Sequence, residues 1–297
     1  MELEFLKMQV AGRDVVVVDA GRNTRLSPED LPELSRRALD RRRGIGGDAL
    51  LLLSRSPESE LAVRAFSTSG AEEEPTLSSL ICAGRYAIDS GLVTRTSIRA
   101  VGPERAVVLD ALDSRSILAD IGAPRRDDGD GELVEDPELA YSRTVTVGER
   151  DFTFTPLRIG PLQAVSFISS FDIDIRRLSL GFRAAFPAAA GDPEAPIADP
   201  TELSYARVTS RSRLYARTWR YGRGEVRSEG YAAAAAAVAA TLHGFADRDT
   251  IVASRGGELY VSWSERNNRL YVTGTPEYVF TGTYDALERH DGGQAVR

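Results

Sequence analysis

The sequence predicts an α+β protein of two pseudo-symmetric domains, each a mixed β-sheet wrapped around a central α-helix. Three observations predict it. Residues 76–91 and 230–242 have helical length yet are apolar on almost every face, and the second carries six consecutive alanines. A helix without a polar face must be enclosed by other structure. Most of the remaining chain reads as short strands bounded by turn residues. Finally, the halves echo each other: Gly12 and Gly160 are separated by nearly the same length as Thr76 and Glu229, which precede the two enclosed helices.

Taken in order, residues 14–19 (DVVVVD) are a continuous β-branched run, hence a buried strand. A surface helix over 31–43 puts Leu31, Leu34, Ala38 and Leu39 on one face, with Arg36, Arg37, Arg41, Arg42 and Arg43 as its solvated end. Residues 44–48 turn the chain into a second buried strand over 49–53, and the first enclosed helix follows. Residues 124–139 are rich in Pro, Gly and Asp and read as a linker. The expected domains are therefore 1–125, with 276–297 returning to it as a strand, and 138–275. In the second domain, strands are expected at 144–147 and 152–154 before its enclosed helix, and at 259–263 and 269–273 after it; the returning strand lies at 277–284.

Composition narrows the chemistry. The chain has 297 residues, 42% hydrophobic and 27% charged, with a net charge of −7. That balance argues against nucleic acid or a membrane surface as partner. The N-terminal residues do not read as a signal peptide and no run is long and apolar enough to span a bilayer, so a cytoplasmic protein is expected. There is one cysteine, Cys82, and there are two histidines, His243 and His290, in no recognisable motif. An internal disulfide is impossible and a Cys/His zinc site nearly so; no metal and no cofactor are expected. Lys7 is the sole lysine, which leaves little room for a Schiff base or a P-loop. Chemistry must rest on carboxylates, hydroxyls, arginines and backbone dipoles.

Six segments then carry a resemblance. Lys7-Met8-Gln9-Val10-Ala11-Gly12-Arg13-Asp14, Arg43-Gly44-Ile45-Gly46-Gly47-Asp48, Phe66-Ser67-Thr68-Ser69-Gly70, Gly160-Pro161-Leu162-Gln163, Gly222-Arg223-Gly224-Glu225 and Val279-Phe280-Thr281-Gly282 occur in order. They resemble the KMxGxGNDF, RGIGAD, FNADG, GNPH, GxGET and VFxG motifs of the diaminopimelate epimerase family, in register from about residue 5 to 285. The resemblance implies the diaminopimelate epimerase-like fold, with both helix N-termini facing a shared cleft suited to a carboxylate.

It also exposes departures. The family racemises with two cysteines, one at the start of each central helix; here those positions fall on Thr76 and Glu229. Cys82 lies inside the first helix and reads as core. Substrate-gripping asparagines become Arg13, Ser67 and Pro161, and the glutamate–arginine pair becomes Arg220 and Tyr221. Diaminopimelate is therefore not the expected substrate. One carboxylate in place of two thiols suits a shift in which a proton leaves one atom and returns to another on the same face, which is double-bond migration.

The resemblance thus assigns Glu229 as acid and base, Thr76 as an assisting hydroxyl, and Arg13 and Arg220 as carboxylate ligands. Ser67, Tyr221 and Glu225 line the cleft, and the backbone N–H groups of Leu77, Ser78, Gly230 and Tyr231 face the substrate carboxylate. An enclosed cleft favours a neutral carboxyl and a helix start favours the anion, so Glu229 is alternatively a simple N-cap. Arg211, Arg213 and Arg217 share a strand parity and read as a solvent-facing row, with an anion-binding stripe as the alternative. The expected function is a cofactor-independent isomerase of a small unsaturated amino or imino acid. Cysteine-less members of 4-alkyl-proline precursor biosynthesis are its most specific resemblance. A dehydratase or cyclase using the same cleft, and a catalytically silent binding relative, are the alternatives. A homodimer is left open.

Overall fold

The computed structural model describes residues 2–55, 60–126, 142–147, 149–185 and 202–285. Except for its first three residues, the expected linker lies outside them. So does His290.

The first half opens with a hairpin, β1 (Glu2–Val10) and β2 (Arg13–Asp19). Helix α1 (Leu31–Ala38) carries the chain to β3 (Ala49–Ser54), parallel to β2. Next come β4 (Leu61–Phe66) and β5 (Glu72–Glu73), both antiparallel additions. The enclosed helix α2 (Leu77–Asp89) leads to β6 (Ser97–Val101), parallel to β4, and then to the antiparallel β7 (Ala106–Ala111) and β8 (Ile117–Gly122).

The second half repeats every one of these pairings. β10 (Arg150–Arg158) and β11 (Leu162–Phe167) form the hairpin, and α3 (Ile175–Ala185) precedes β12 (Glu202–Ser210), which is parallel to β11. β13 (Arg213–Arg220), β14 (Gly224–Val226) and the enclosed helix α4 (Gly230–Leu242) follow, then β15 (Asp249–Ala253), parallel to β13. β16 (Glu258–Trp263) and β17 (Leu270–Gly274) complete it. One outer strand flanks each hairpin: β9 (Arg143–Val147) pairs with β10, and β18 (Glu277–Asp285) returns to pair with β1. The two sheets join where β8 pairs antiparallel with β17.

Burial explains the sequence pattern. In β2, Val15 and Val17 face the core around α2, while Val16 and Val18 face the cluster under α1. A strand covered on both sides loses the alternation of a half-solvated one, which is why residues 14–19 read as a continuous run. In α4 every residue from Gly230 to Leu242 is buried. The alanine run lets strands approach the helix axis closely on all sides.

Two local expectations are corrected. The helix expected over 31–43 ends at Ala38, because the chain doubles back across its end: Gly46 N–H bonds to Ala38 O, and a Cβ on Gly44 would lie 2.1 Å from Arg37 O. Arg41 is accordingly no helix end; it forks onto Asp14 and Asp48. Helix α3 was not anticipated, although Asp174 caps it through the Arg177 N–H and Ile175, Leu178 and Phe182 fall at helical spacing against the outer face of the second sheet. It is the counterpart of α1.

Candidate active site

The two enclosed helices meet at their N-termini. Gly230, first residue of α4, lies against Leu77, first residue of α2; a Cβ on Gly230 would sit 2.8 Å from the Leu77 side chain. Thr76 and Glu229 are the two N-caps, both extended in backbone and both buried. Thr76 Oγ1 accepts from the Ser79 N–H and lies 2.9 Å from Ser79 Oγ. Glu229 Oε2 accepts from the Ala232 N–H at 2.8 Å. Among the described residues, the N–H groups of Leu77, Ser78, Gly230 and Tyr231 have no hydrogen-bond acceptor. This leaves free N–H groups at both helix starts, an arrangement suited to an anion.

Around this junction the protein leaves polar atoms unsatisfied. Among the described residues, four buried side-chain atoms lack a hydrogen-bond partner: Arg13 Nε, Ser78 Oγ, Gln163 Oε1 and Glu229 Oε1. Buried polar groups are nearly always paired, so four orphans belonging to one junction need an explanation. Arg13, from the start of β2, is 4% exposed and feels the charges of Asp48, Arg220, Glu229 and Arg223. Burial lowers its pKa, because a desolvated guanidinium loses hydration. Cys82 also lies within reach of the Arg13 charge, but it is fully buried and burial pushes its thiol up, which fits a core residue.

Gln163 belongs to a row set by strand register. Gln163 on β11 pairs with Glu202 on β12, which pairs with Arg220 on β13. Gln163 Nε2 donates to Glu202 Oε2 at 2.9 Å, and Arg220 Nε lies 3.5 Å from Glu202 Oε1. Arg220 thus faces an internal carboxylate. Glu202 is 1% exposed; burial first, and then the charge of Glu229, push its pKa up to about 8. Sequence reading missed Glu202. A glutamate at a strand start reads as solvated, and the only signal was its place beside a buried stretch, Leu203–Ala206, written with few charges.

Other expected site residues have partners of their own. Glu225 is held by Arg217 and Arg255, and the Arg217 hydrogen bonds keep its pKa below the usual range. Tyr221 donates its hydroxyl to Ser179 O on α3. Ser67 Oγ lies 2.9 Å from Ser69 Oγ within the β4–β5 connection. Tyr231 packs its ring on Gly160, where a Cβ would come within 2.7 Å, and burial pushes its hydroxyl pKa up. The arginine row also has carboxylate partners: Arg211 meets Asp247, Arg213 meets Glu258 and Arg217 meets Glu225. The halves are further tied at the rim by an ion pair between Glu73 on β5 and Arg223 after β13. A cavity with room for about one water lies beside Glu229, between Thr218, Ser228, Ala233, Val252 and Ser254.

No protein-family model matches the chain. Among curated proteins, diaminopimelate epimerase of Heliobacterium modesticaldum is 30% identical over 291 residues, covering 94% of this chain and 99% of the relative. Among solved structures, a probable proline racemase from Agrobacterium radiobacter superposes with a TM-score of 0.66 at 15% identity, covering 97% of this chain and 94% of that one. A methylitaconate-Δ-isomerase superposes with a TM-score of 0.59 at 12% identity, covering 96% and 95%. Among the described residues no helix is long and apolar enough to cross a membrane. With the doubled sheet-and-helix topology and an identity of 30% across nearly its whole length, the chain belongs to the diaminopimelate epimerase-like superfamily of isomerases.

Proposed function

We propose that this isomerase moves a proton, and with it a double bond, within a small unsaturated amino or imino carboxylic acid, with Glu229 taking the proton that begins the shift. The observation that carries the reading is the set of four unsatisfied buried atoms at the junction of two helix starts. They match the needs of such a substrate. Its carboxylate takes the free N–H groups of Leu77, Ser78, Gly230 and Tyr231 and the Arg13 Nε–H. Its nitrogen or hydroxyl groups meet Ser78 Oγ and Gln163 Oε1. The Ala232 N–H fixes one oxygen of Glu229, which leaves Oε1 free to take a proton from carbon. Thr76 holds the first turn of α2, so that Ser78 and the neighbouring N–H groups keep their aim.

Racemisation in the manner of a two-thiol enzyme finds no support in these residues. The position across from Glu229 is a threonine whose hydroxyl is engaged with Ser79, and the sole cysteine is core. A structurally similar protein is named an isomerase of methylitaconate and another a racemase of proline, which supports a small carboxylic acid as substrate and a double-bond shift as chemistry. The assignment to 4-alkyl-proline precursor biosynthesis rests on the sequence resemblance alone.

The test is solvent exchange. Candidate unsaturated amino and imino acids are incubated with the enzyme in deuterated water and followed by NMR. Wild type should incorporate deuterium and Glu229→Gln should not. Equal incorporation by both would remove Glu229 from the mechanism.

A further inference from the structure

Glu202 is a buried carboxyl of the site that the mechanism above leaves without work. It opens β12, is 1% exposed, and lies between its register partners on both sides. The groups that face it come from four elements: Gln163 from β11, Arg220 from β13, Arg13 from β2 and Glu229 from the start of α4, with Tyr231 next to Glu229. Burial and the Glu229 charge favour its neutral form, while Arg220, Gln163 and Arg13 favour the anion. The balance holds this carboxyl's proton more tightly than an ordinary glutamate does.

Its contacts suit a group that changes protonation. The nearest partner is an amide, not a cation. Gln163 Nε2 donates to an oxygen of the carboxyl, which accepts this bond as carboxylate and, through its carbonyl oxygen, as acid. Of the two cations that act on it, Arg13 and Arg220, Arg220 approaches to 3.5 Å and does not fork onto it. Glu225 is different: Arg217 grips it by two hydrogen bonds, as a permanent anion requires.

We propose that Glu202 is the second proton carrier of the site, delivering the proton that completes the shift after Glu229 has taken the one that begins it. This rests on the isomerase reading given above. In the step, the Glu229 carboxylate takes a proton from substrate carbon, and the C–H electron pair enters the conjugated system. The displaced π pair forms a new C–H bond at the far end with the proton of Glu202. Glu202 is left as carboxylate and Glu229 as acid, and one proton passes back by way of solvent to restore the resting site. No electrons are gained or lost, and no co-reactant is needed. Hydrogen delivered to product therefore comes from Glu202, and so from solvent, in every turnover. A single shared carboxylate would instead return part of the substrate's own hydrogen.

Two measurements test this. In the substrate-free enzyme, infrared titration should show a protonated carboxylic acid band at neutral pH that shifts in deuterated water. The band should vanish in Glu202→Gln; in Glu229→Gln it should remain with a lower midpoint, because the charge that raises it is gone. Gln163→Met, which removes the hydrogen bond that favours the anion, should raise its midpoint. In the exchange assay, Glu202→Gln should keep washing substrate hydrogen into solvent while product formation falls about 100-fold or more. A band that survives Glu202→Gln, or product formation by that variant at the wild-type rate, overturns the proposal. Absence of exchange by wild type on every candidate would count against the isomerase reading instead, and the infrared titration would still decide whether Glu202 holds the proton.

Discussion

The two halves of the molecule share a topology strand for strand and differ in what they place beneath the helix starts. In the second half, the first pair of the parallel register is Gln163 with Glu202, continued by Arg220. In the first half, the corresponding pair is Val15 with Ala49. The caps differ in the same direction: Thr76 offers a hydroxyl bound into its own helix, and Glu229 a carboxylate with one oxygen free. The helices invert the contrast. α2 fills its enclosure with Leu77, Leu80, Ile81 and Tyr86, whereas α4 uses alanines. Duplication of a fold thus fixes where helix N-termini point, while the residues at equivalent positions are free to differ in chemistry. At these equivalent positions the first half holds Val15, Ala49 and the Thr76 hydroxyl, the second Gln163, Glu202 and the Glu229 carboxylate.

The largest break in this comparison should come from its caps. Glu229→Gln keeps an oxygen to accept the Ala232 N–H, so the fold should survive while exchange falls by about 100- to 10,000-fold. A smaller loss would remove Glu229 from the proton transfer. Next come the cores. Leu80→Ala in α2 opens a cavity and should cost about 2–5 kcal/mol in urea unfolding. Ala236→Leu in α4 over-packs its enclosure and should cost about 1–3 kcal/mol, the reverse substitution with the same sign. If Ala236→Leu were neutral, the alanine run would not be a packing requirement.

The pH dependence sharpens the contrast at the strand row. Glu202 binds its proton more tightly folded than unfolded, so its stabilising contribution is full below the ordinary glutamate range, near 4.5, and is lost as pH rises through about 8. Thermal unfolding of Glu202→Gln should therefore fall less than that of wild type across this window. Parallel curves would mean that the carboxyl is ionised in both states. Thr76→Ala should have the smallest effect: about 1 kcal/mol of stability for the lost cap, with exchange far less affected than in Glu229→Gln.

Much of this was legible in the chain itself. The enclosed helices declare themselves because an all-apolar helix has no other stable place. The caps Thr76 and Glu229 follow from where those helices begin. α3 is hard to read from sequence because its apolar residues, Ile175, Leu178 and Phe182, are interleaved with arginines. Glu202 was missed for a deeper reason. Its burial comes from Gln163 and Arg220, each some way along the chain, and only strand register sets the three side by side.

The sequence by itself therefore determined the fold, the doubling and the two helix starts, because periodicity, composition and capping are local properties. Tertiary structure alone decided which polar groups are orphaned and which carboxyl has its pKa pushed up. Both depend on desolvation and on charges brought close by folding, and no local pattern records them.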